Sequence, residues 1–137
     1  MRIIMDTSCM VGLVDKGFRG HEDIKVIAAD DANEIIIPSP AIPETCYMLN
    51  KKFGPGIELR FIEDIASVQL QVEVLEFRDI LRVPEIIKKY RSLNIGFVDA
   101  AITAICERLH INKILTLDHR HFNAIVPLGF DHFDILV

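Results

Sequence analysis

Residues 97–118 read FVDAAITAICERLHINKILTLD, and this stretch decides the fold. Phe97, Ala101, Ala104, Ile105 and Leu109 recur at helical spacing and are expected to face inward, with Glu107 and Arg108 outward. After a short break, residues 113–117 form an apolar, strand-like run that stops at a carboxylate, Asp118. The amino terminus repeats that ending. Arg2-Ile3-Ile4-Met5 runs into Asp6, and Thr7 or Ser8 is then placed to cap a helix carrying Met10, Val11, Leu13 and Val14.

Working outward, residues 35–37 make a second all-apolar strand stopped by Pro38, after a helical segment over residues 21–31. A helix starting at Ser39 or Pro40 runs to about Lys52, with Ile42, Cys46, Leu49 and Phe53 on one face and Gly54-Pro55-Gly56 ending it. Another helical pattern covers residues 57–66. Residues 68–77 alternate as an edge strand, Pro84 suits the first turn of a helix to Arg91, and a short strand over 133–137 closes the chain. Strands apolar on both faces, alternating with helices, predict a three-layer α/β/α sandwich with a mainly parallel central sheet, built as a single domain over residues 1–137.

Composition narrows the function. The 137 residues include 15 Lys and Arg against 20 Asp and Glu, a net charge of −5, the wrong sign for a protein that blankets phosphates. Any nucleic-acid contact must be local. Half of the residues are hydrophobic and mean hydropathy is +0.30, yet Asp15, Asp30, Asp64 and Glu107 interrupt every long apolar run. No transmembrane helix or secretory leader is expected, and the chain is read as cytoplasmic. Cys9, Cys46 and Cys106 are odd in number and lack a CxxC pair, so buried free thiols are expected rather than disulfides or a thiolate zinc site. No GxGxxG or Walker pattern supports a nucleotide cofactor.

The carboxylates carry the functional reading. Asp6 and Asp118 follow strands at their carboxyl ends, where open parallel sheets place ligands. Glu44 falls early in the helix after the second strand, and Asp99 at the third position of the helix that begins after Gly96. Singly, each acid has a plain structural use in capping a helix or complementing its dipole. Jointly, four carboxylates at one end of the sheet raise one another's pKa unless a cation joins them, and a hard divalent ion such as Mg²⁺ or Mn²⁺ matches oxygen ligands. Such a centre suits phosphodiester hydrolysis.

The segments IIMDTS, PSPAIPETCYML, GFVDAAITAICERL and ILTLDHRHF resemble the PIN domain in order and spacing over nearly the whole chain, and its stand-alone length is similar to that of VapC-type toxin ribonucleases. The resemblance implies a metal-dependent endoribonuclease with Asp6, Glu44, Asp99 and Asp118 as an acidic tetrad holding Mg²⁺ or Mn²⁺. It implies Thr7, Ser8 and Thr116 as hydroxyl neighbours, Phe122 as core, and an antitoxin as partner. Where some members of the family carry a further acid, this chain reads His119-Arg120-His121, which weighs against a second tightly held metal.

Arg120 is the better candidate for a phosphate contact; His119 and His121 could bind metal or meet phosphate, but a pair at this spacing is more often solvent-facing at a turn, and that is the expectation. Lys51-Lys52 and Lys88-Lys89 with Arg91 read as solvated helix faces. The apolar content is compatible with a homodimer face and a groove for a partner helix. A catalytically inactive PIN-like scaffold binding RNA or protein is the alternative function. A signalling receiver ranks last, because Asp6-Thr7-Ser8 supplies one acid where paired adjacent acids are needed.

Overall fold

The central strand is also the most deeply buried one. In the computed structural model, which describes residues 1–67 and 70–137, β1 (Arg2–Met5) leaves Ile3 and Ile4 fully buried. It is followed by α1 (Thr7–Val14), α2 (His21–Ala29), β2 (Glu34–Pro38), α3 (Ala41–Phe53), α4 (Pro55–Ser67), β3 (Gln71–Glu73) and α5 (Phe77–Lys89). A 3₁₀ turn at Arg91–Leu93 leads to α6 (Phe97–Leu109), β4 (Lys113–Leu115), α7 (His119–Ala124) and β5 (Asp134–Ile135). The five strands pair in the order β3-β2-β1-β4-β5, all parallel, with Ile4 in register with Ile36 on one side and Ile114 on the other. The expected three-layer α/β/α architecture is the observed one.

This order positions the site. The chain builds outward from β1 to β2 and β3, then returns to the other side of β1 for β4 and β5, so the direction of winding reverses between β1 and β4. In an open parallel sheet the loops leaving two such strands diverge to opposite faces and leave a crevice at their carboxyl ends. The Asp6 N–H still donates to the Leu115 carbonyl at 2.9 Å, so the two strands part immediately beyond Asp6.

Several boundaries differ from expectation for identifiable reasons. Val68 and Gln69, at the start of the expected edge strand, lie outside the described residues; β3 is an edge strand, but only over Gln71–Glu73. Phe77 begins α5 instead of ending that strand, because Asp79 Oδ2 accepts from the Glu76 N–H at 2.9 Å and caps a helix there. Pro84 accordingly lies inside α5, on its exposed side. Strand β4 stops at Leu115 because the Thr116 hydroxyl, not a neighbouring strand, accepts the Asp118 N–H, at 3.0 Å.

At its two ends, α6 departs from the facing that helical spacing predicts. Phe97 is 48% exposed, while Glu107 and Arg108, expected in solvent, are largely covered by ion pairs with α5 and the end of β3. The periodicity assigns a face correctly, but not a charged residue facing opposite charge on a neighbouring element. Cys9, Cys46 and Cys106 are free and buried as expected, and burial pushes the Cys9 thiol up to about 12. Among the described residues, no helix is long and apolar enough to cross a membrane.

Candidate functional site

Asp6 is the N-cap of α1, a role the sequence reading gave to Thr7 or Ser8. Its Oδ1 accepts from the Thr7 N–H at 2.7 Å, while Oδ2 accepts from Thr116 Oγ1 at 2.8 Å and Ser8 Oγ at 3.0 Å. Ser8 Oγ in turn accepts from the Leu117 N–H at 2.9 Å. Two hydroxyls therefore stitch the carboxyl ends of β1 and β4 together around one carboxylate. Despite these donors, Asp6 is pushed up to about 6, because burial, and then the facing charge of Asp99, outweigh the hydrogen bonds.

Asp99 sits at the third residue of α6, where the break at Gly96 places it. Its pKa is raised, first by burial and then by the charges of Asp118 and Glu44. Asp99 is therefore the carboxylate at which the other three meet electrostatically: Asp6 responds to it, and it responds to Asp118 and Glu44. Glu44, in the first turn of α3, is exposed and forms the outer rim. Asp6, Glu44 and Asp118, from distant parts of the chain, each lie within electrostatic reach of Asp99.

Asp118 caps α7, its Oδ1 accepting the His121 N–H at 3.1 Å. This brings in a residue the sequence reading set aside. His121 does not face solvent: its Nδ1 lies 2.7 Å from Asp99 Oδ2 and 2.9 Å from Asp118 Oδ2, and its Nε2 lies 3.0 Å from the Leu93 carbonyl oxygen. Burial works to lower its pKa, but the Asp99 hydrogen bond and the charges of Asp118 and Asp99 hold it above its ordinary value. The available signal was the spacing: with Asp118 as N-cap, His121 is the third residue of a helical turn and must fold back toward the cap. His119 stays outside the cluster, exposed, with its Nε2 2.7 Å from the Val137 carbonyl oxygen.

Of the remaining candidates, Thr7 is buried, and its Oγ1 is a buried polar side-chain atom without a hydrogen-bond partner beside Asp6. Arg120 is exposed on the first turn of α7, adjacent to Asp118. Phe122 is fully buried, edge-on to Phe133. Among the described residues, no lysine or arginine pairs with Asp6, Glu44, Asp99 or Asp118. A group of hard oxygen donors with two raised carboxylates and no fixed internal cation but an imidazole fits a divalent metal ion. Asp99, Asp118 and His121 each offer a ligand atom, all within 4.8 Å of one another.

Fold and site together define a parallel α/β protein with an acidic, cation-seeking crevice at its topological switch point. The family model described as PIN domain matches residues 3–126, and the chain belongs to that family. It is 26% identical over 134 residues to Ribonuclease VapC26 of Mycobacterium tuberculosis, an alignment covering 98% of this chain and 99% of the relative. The crystal structure of Mycobacterium tuberculosis VapC20, a Sarcin-Ricin loop cleaving toxin, superposes with a TM-score of 0.80 at 21% identity, covering 93% of this chain and 95% of that one. VapBC2 from Rickettsia felis, bound to a DNA fragment from its promoter, gives 0.70 at 18% identity, covering 98% and 100%.

Proposed function

We propose that residues 1–137 act as a metal-dependent endoribonuclease, the toxin of a toxin–antitoxin pair, that hydrolyses RNA phosphodiester bonds. One observation carries the reading: three carboxylates, Asp6, Glu44 and Asp118, act on or respond to a fourth, Asp99, and among the described residues no lysine or arginine pairs with any of them. Asp6, Glu44, Asp99 and Asp118 would hold Mg²⁺ or Mn²⁺. Such an ion, when bound, supplies an activated water and positive charge for the phosphate. Similarity to a protein named as a ribonuclease and to one described as a Sarcin-Ricin loop cleaving toxin supports the substrate class.

The chain's own residues do the positioning. Thr116 and Ser8 hold Asp6 Oδ2 in a fixed direction, and Thr116 at the same time fixes the turn that presents Asp118. The paired carboxylates repel an RNA backbone until they are neutralised, which makes cation binding a condition for substrate binding. Arg120, exposed and two residues after Asp118, would grip a substrate phosphate with its guanidinium. The test is cleavage of RNA with and without Mg²⁺ or Mn²⁺ by the wild type and Asp6→Asn. Ion-dependent cleavage lost in the variant is expected; equal activity in both removes the assignment, and RNA binding without cleavage returns the scaffold reading.

The partner side of the reading has two surfaces. A groove of about 710 Å³ lies beside α1, β2 and α4, lined by Met10, Leu13, Val14, Ile37, Phe61 and Ile65 among others, with Lys16, Arg60, Asp15 and Asp64 also along it. It suits an amphipathic antitoxin helix, and the likeness to VapBC assemblies supports such a partner. The outward side of α5 carries Phe77, Ile80 and Leu81, 72%, 41% and 61% exposed, followed by exposed Pro84. This is a helical i, i+3, i+4, i+7 seam on the side away from the core. Arg78 and Glu85 flank it but pair within the chain, with Glu76 and Arg82, so the seam itself is apolar. A homodimer through α5 is the assembly this pattern supports, and light scattering of wild type against Leu81→Glu tests it.

A further inference from the structure

We propose that His121 is a direct metal ligand through Nδ1, and that this nitrogen donor makes the centre favour Mn²⁺ over Mg²⁺. The proposal rests on the metal-dependent reading above. Nδ1 stands 2.7 Å from Asp99 Oδ2 and 2.9 Å from Asp118 Oδ2. Neighbouring ligands of an octahedral ion with bonds of about 2.1 Å lie roughly 3 Å apart, so one ion can take all three atoms with small adjustments.

The rest of the ring is built as ligating histidines usually are. The Nε2–H donates to the Leu93 carbonyl at 3.0 Å, which fixes the ring plane and turns Nδ1 toward the two carboxylates, where an ion would take the place of the Nδ1 proton. Leu93 ends the 3₁₀ turn, and Asn94 closes it with φ of 53°, a conformation that sets where this carbonyl points. On the other side, Asp118 spends Oδ1 on capping the His121 N–H, which leaves Oδ2 facing the imidazole.

The consequence is chemical selectivity. Mg²⁺ prefers an all-oxygen shell, whereas Mn²⁺ accepts an imidazole nitrogen together with carboxylates. A centre with one nitrogen and hard oxygens therefore gains relative affinity for Mn²⁺. In this chain the imidazole fills a stretch that offers no acid, so it adds a donor without adding another negative charge to the cluster.

Pulsed electron paramagnetic resonance of Mn²⁺ bound to the whole chain tests this directly, because a coordinated imidazole imposes a nitrogen modulation on the echo. The expected result is modulation in the wild type that persists in His119→Gln and disappears in His121→Asp. Calorimetry in parallel is expected to show the Mn²⁺ over Mg²⁺ preference dropping about tenfold in His121→Asp, where an oxygen replaces the nitrogen. Wild-type protein that binds Mn²⁺ without nitrogen modulation overturns the proposal and leaves the metal-dependent reading intact. Wild-type protein that binds no Mn²⁺ overturns both. Because the decisive spectrum is the wild type's, poor folding of a variant does not blunt the test.

Discussion

The chain gathers carboxylates in two places and treats them in opposite ways. At the end of β3, Glu73, Glu76 and Asp79 surround Arg108 of α6, with contacts of 2.7, 3.3 and 2.9 Å. Asp79 is 2% exposed there, and the guanidinium satisfies it through both Nε and Nη2 while Nη2 also reaches the Val74 carbonyl. At the β1/β4 crevice, Asp6, Glu44 and Asp118 lie within electrostatic reach of Asp99, and among the described residues the one basic side chain paired with these acids is the His121 imidazole, between Asp99 and Asp118. An acid cluster that carries its own arginine is a clasp. One without it is an open demand for a cation, and that difference separates structure from function more sharply than the number of acids does.

Changes at the open cluster are expected to act on activity, and changes at the closed one on stability. The largest effect is on Asp99→Asn: removing the carboxylate that the other three face should lower RNA cleavage by roughly a thousandfold, about 4 kcal/mol in the barrier, with circular dichroism unchanged. Arg108→Met leaves Asp79 buried without its partner and should cost about 3 kcal/mol of stability by denaturant unfolding. Metal affinity measured well below its melting temperature should stay at the wild-type value. A swap of these outcomes, with Asp99→Asn unstable and Arg108→Met inactive but stable, would erase the distinction.

Asp6 sharpens the comparison through pH. Its folded pKa, raised to about 6, exceeds the ordinary carboxylate value of 3.8, so the folded protein binds this proton more tightly than the unfolded chain does. The stability it contributes is complete below about pH 4 and is lost as pH rises through about 6, a loss of about 2–3 kcal/mol in the metal-free protein. Asp6→Asn, which cannot ionise, should therefore melt several degrees above metal-free wild type at pH 7.5 and close to it at pH 4.5. Divalent metal should raise the melting temperature of the wild type alone. An unchanged gap across that range would mean the carboxylate is not under charge stress.

Glu44 stands at the exposed rim, where salt and water screen its charge. Glu44→Gln should cost activity only about tenfold, and the deficit should shrink at high ionic strength. The α5 seam comes last: Leu81→Glu should convert a dimer to a monomer in light scattering while leaving the metal affinity as it was.

Much of this was legible in the sequence because parallel α/β order is written in short apolar runs. Ile3-Ile4-Met5 and Ile35-Ile36-Ile37 are short β-branched-rich runs that form strands here, and an aspartate directly after the β1 run or the β4 run leaves at the carboxyl edge. Helix α6 was readable to the residue, since Gly96 starts it and His110, with φ of 57°, ends it. What stayed hidden depends on contacts between elements. Nothing local marks Arg108 as covered, because its partners lie 29 to 35 residues away on α5 and β3. His121 was hidden for a different reason: its meaning rests on Asp118 capping a helix of six residues, too short to reveal itself by periodicity.

The comparison between the open and closed clusters reduces to one titration. Isothermal calorimetry of Mn²⁺ into wild type, Asp99→Asn and Glu73→Gln should give a binding heat in the wild type, none in Asp99→Asn, and a wild-type curve in Glu73→Gln. A wild type that takes up no ion, or an Asp99→Asn variant that binds as tightly as the wild type, would contradict the account.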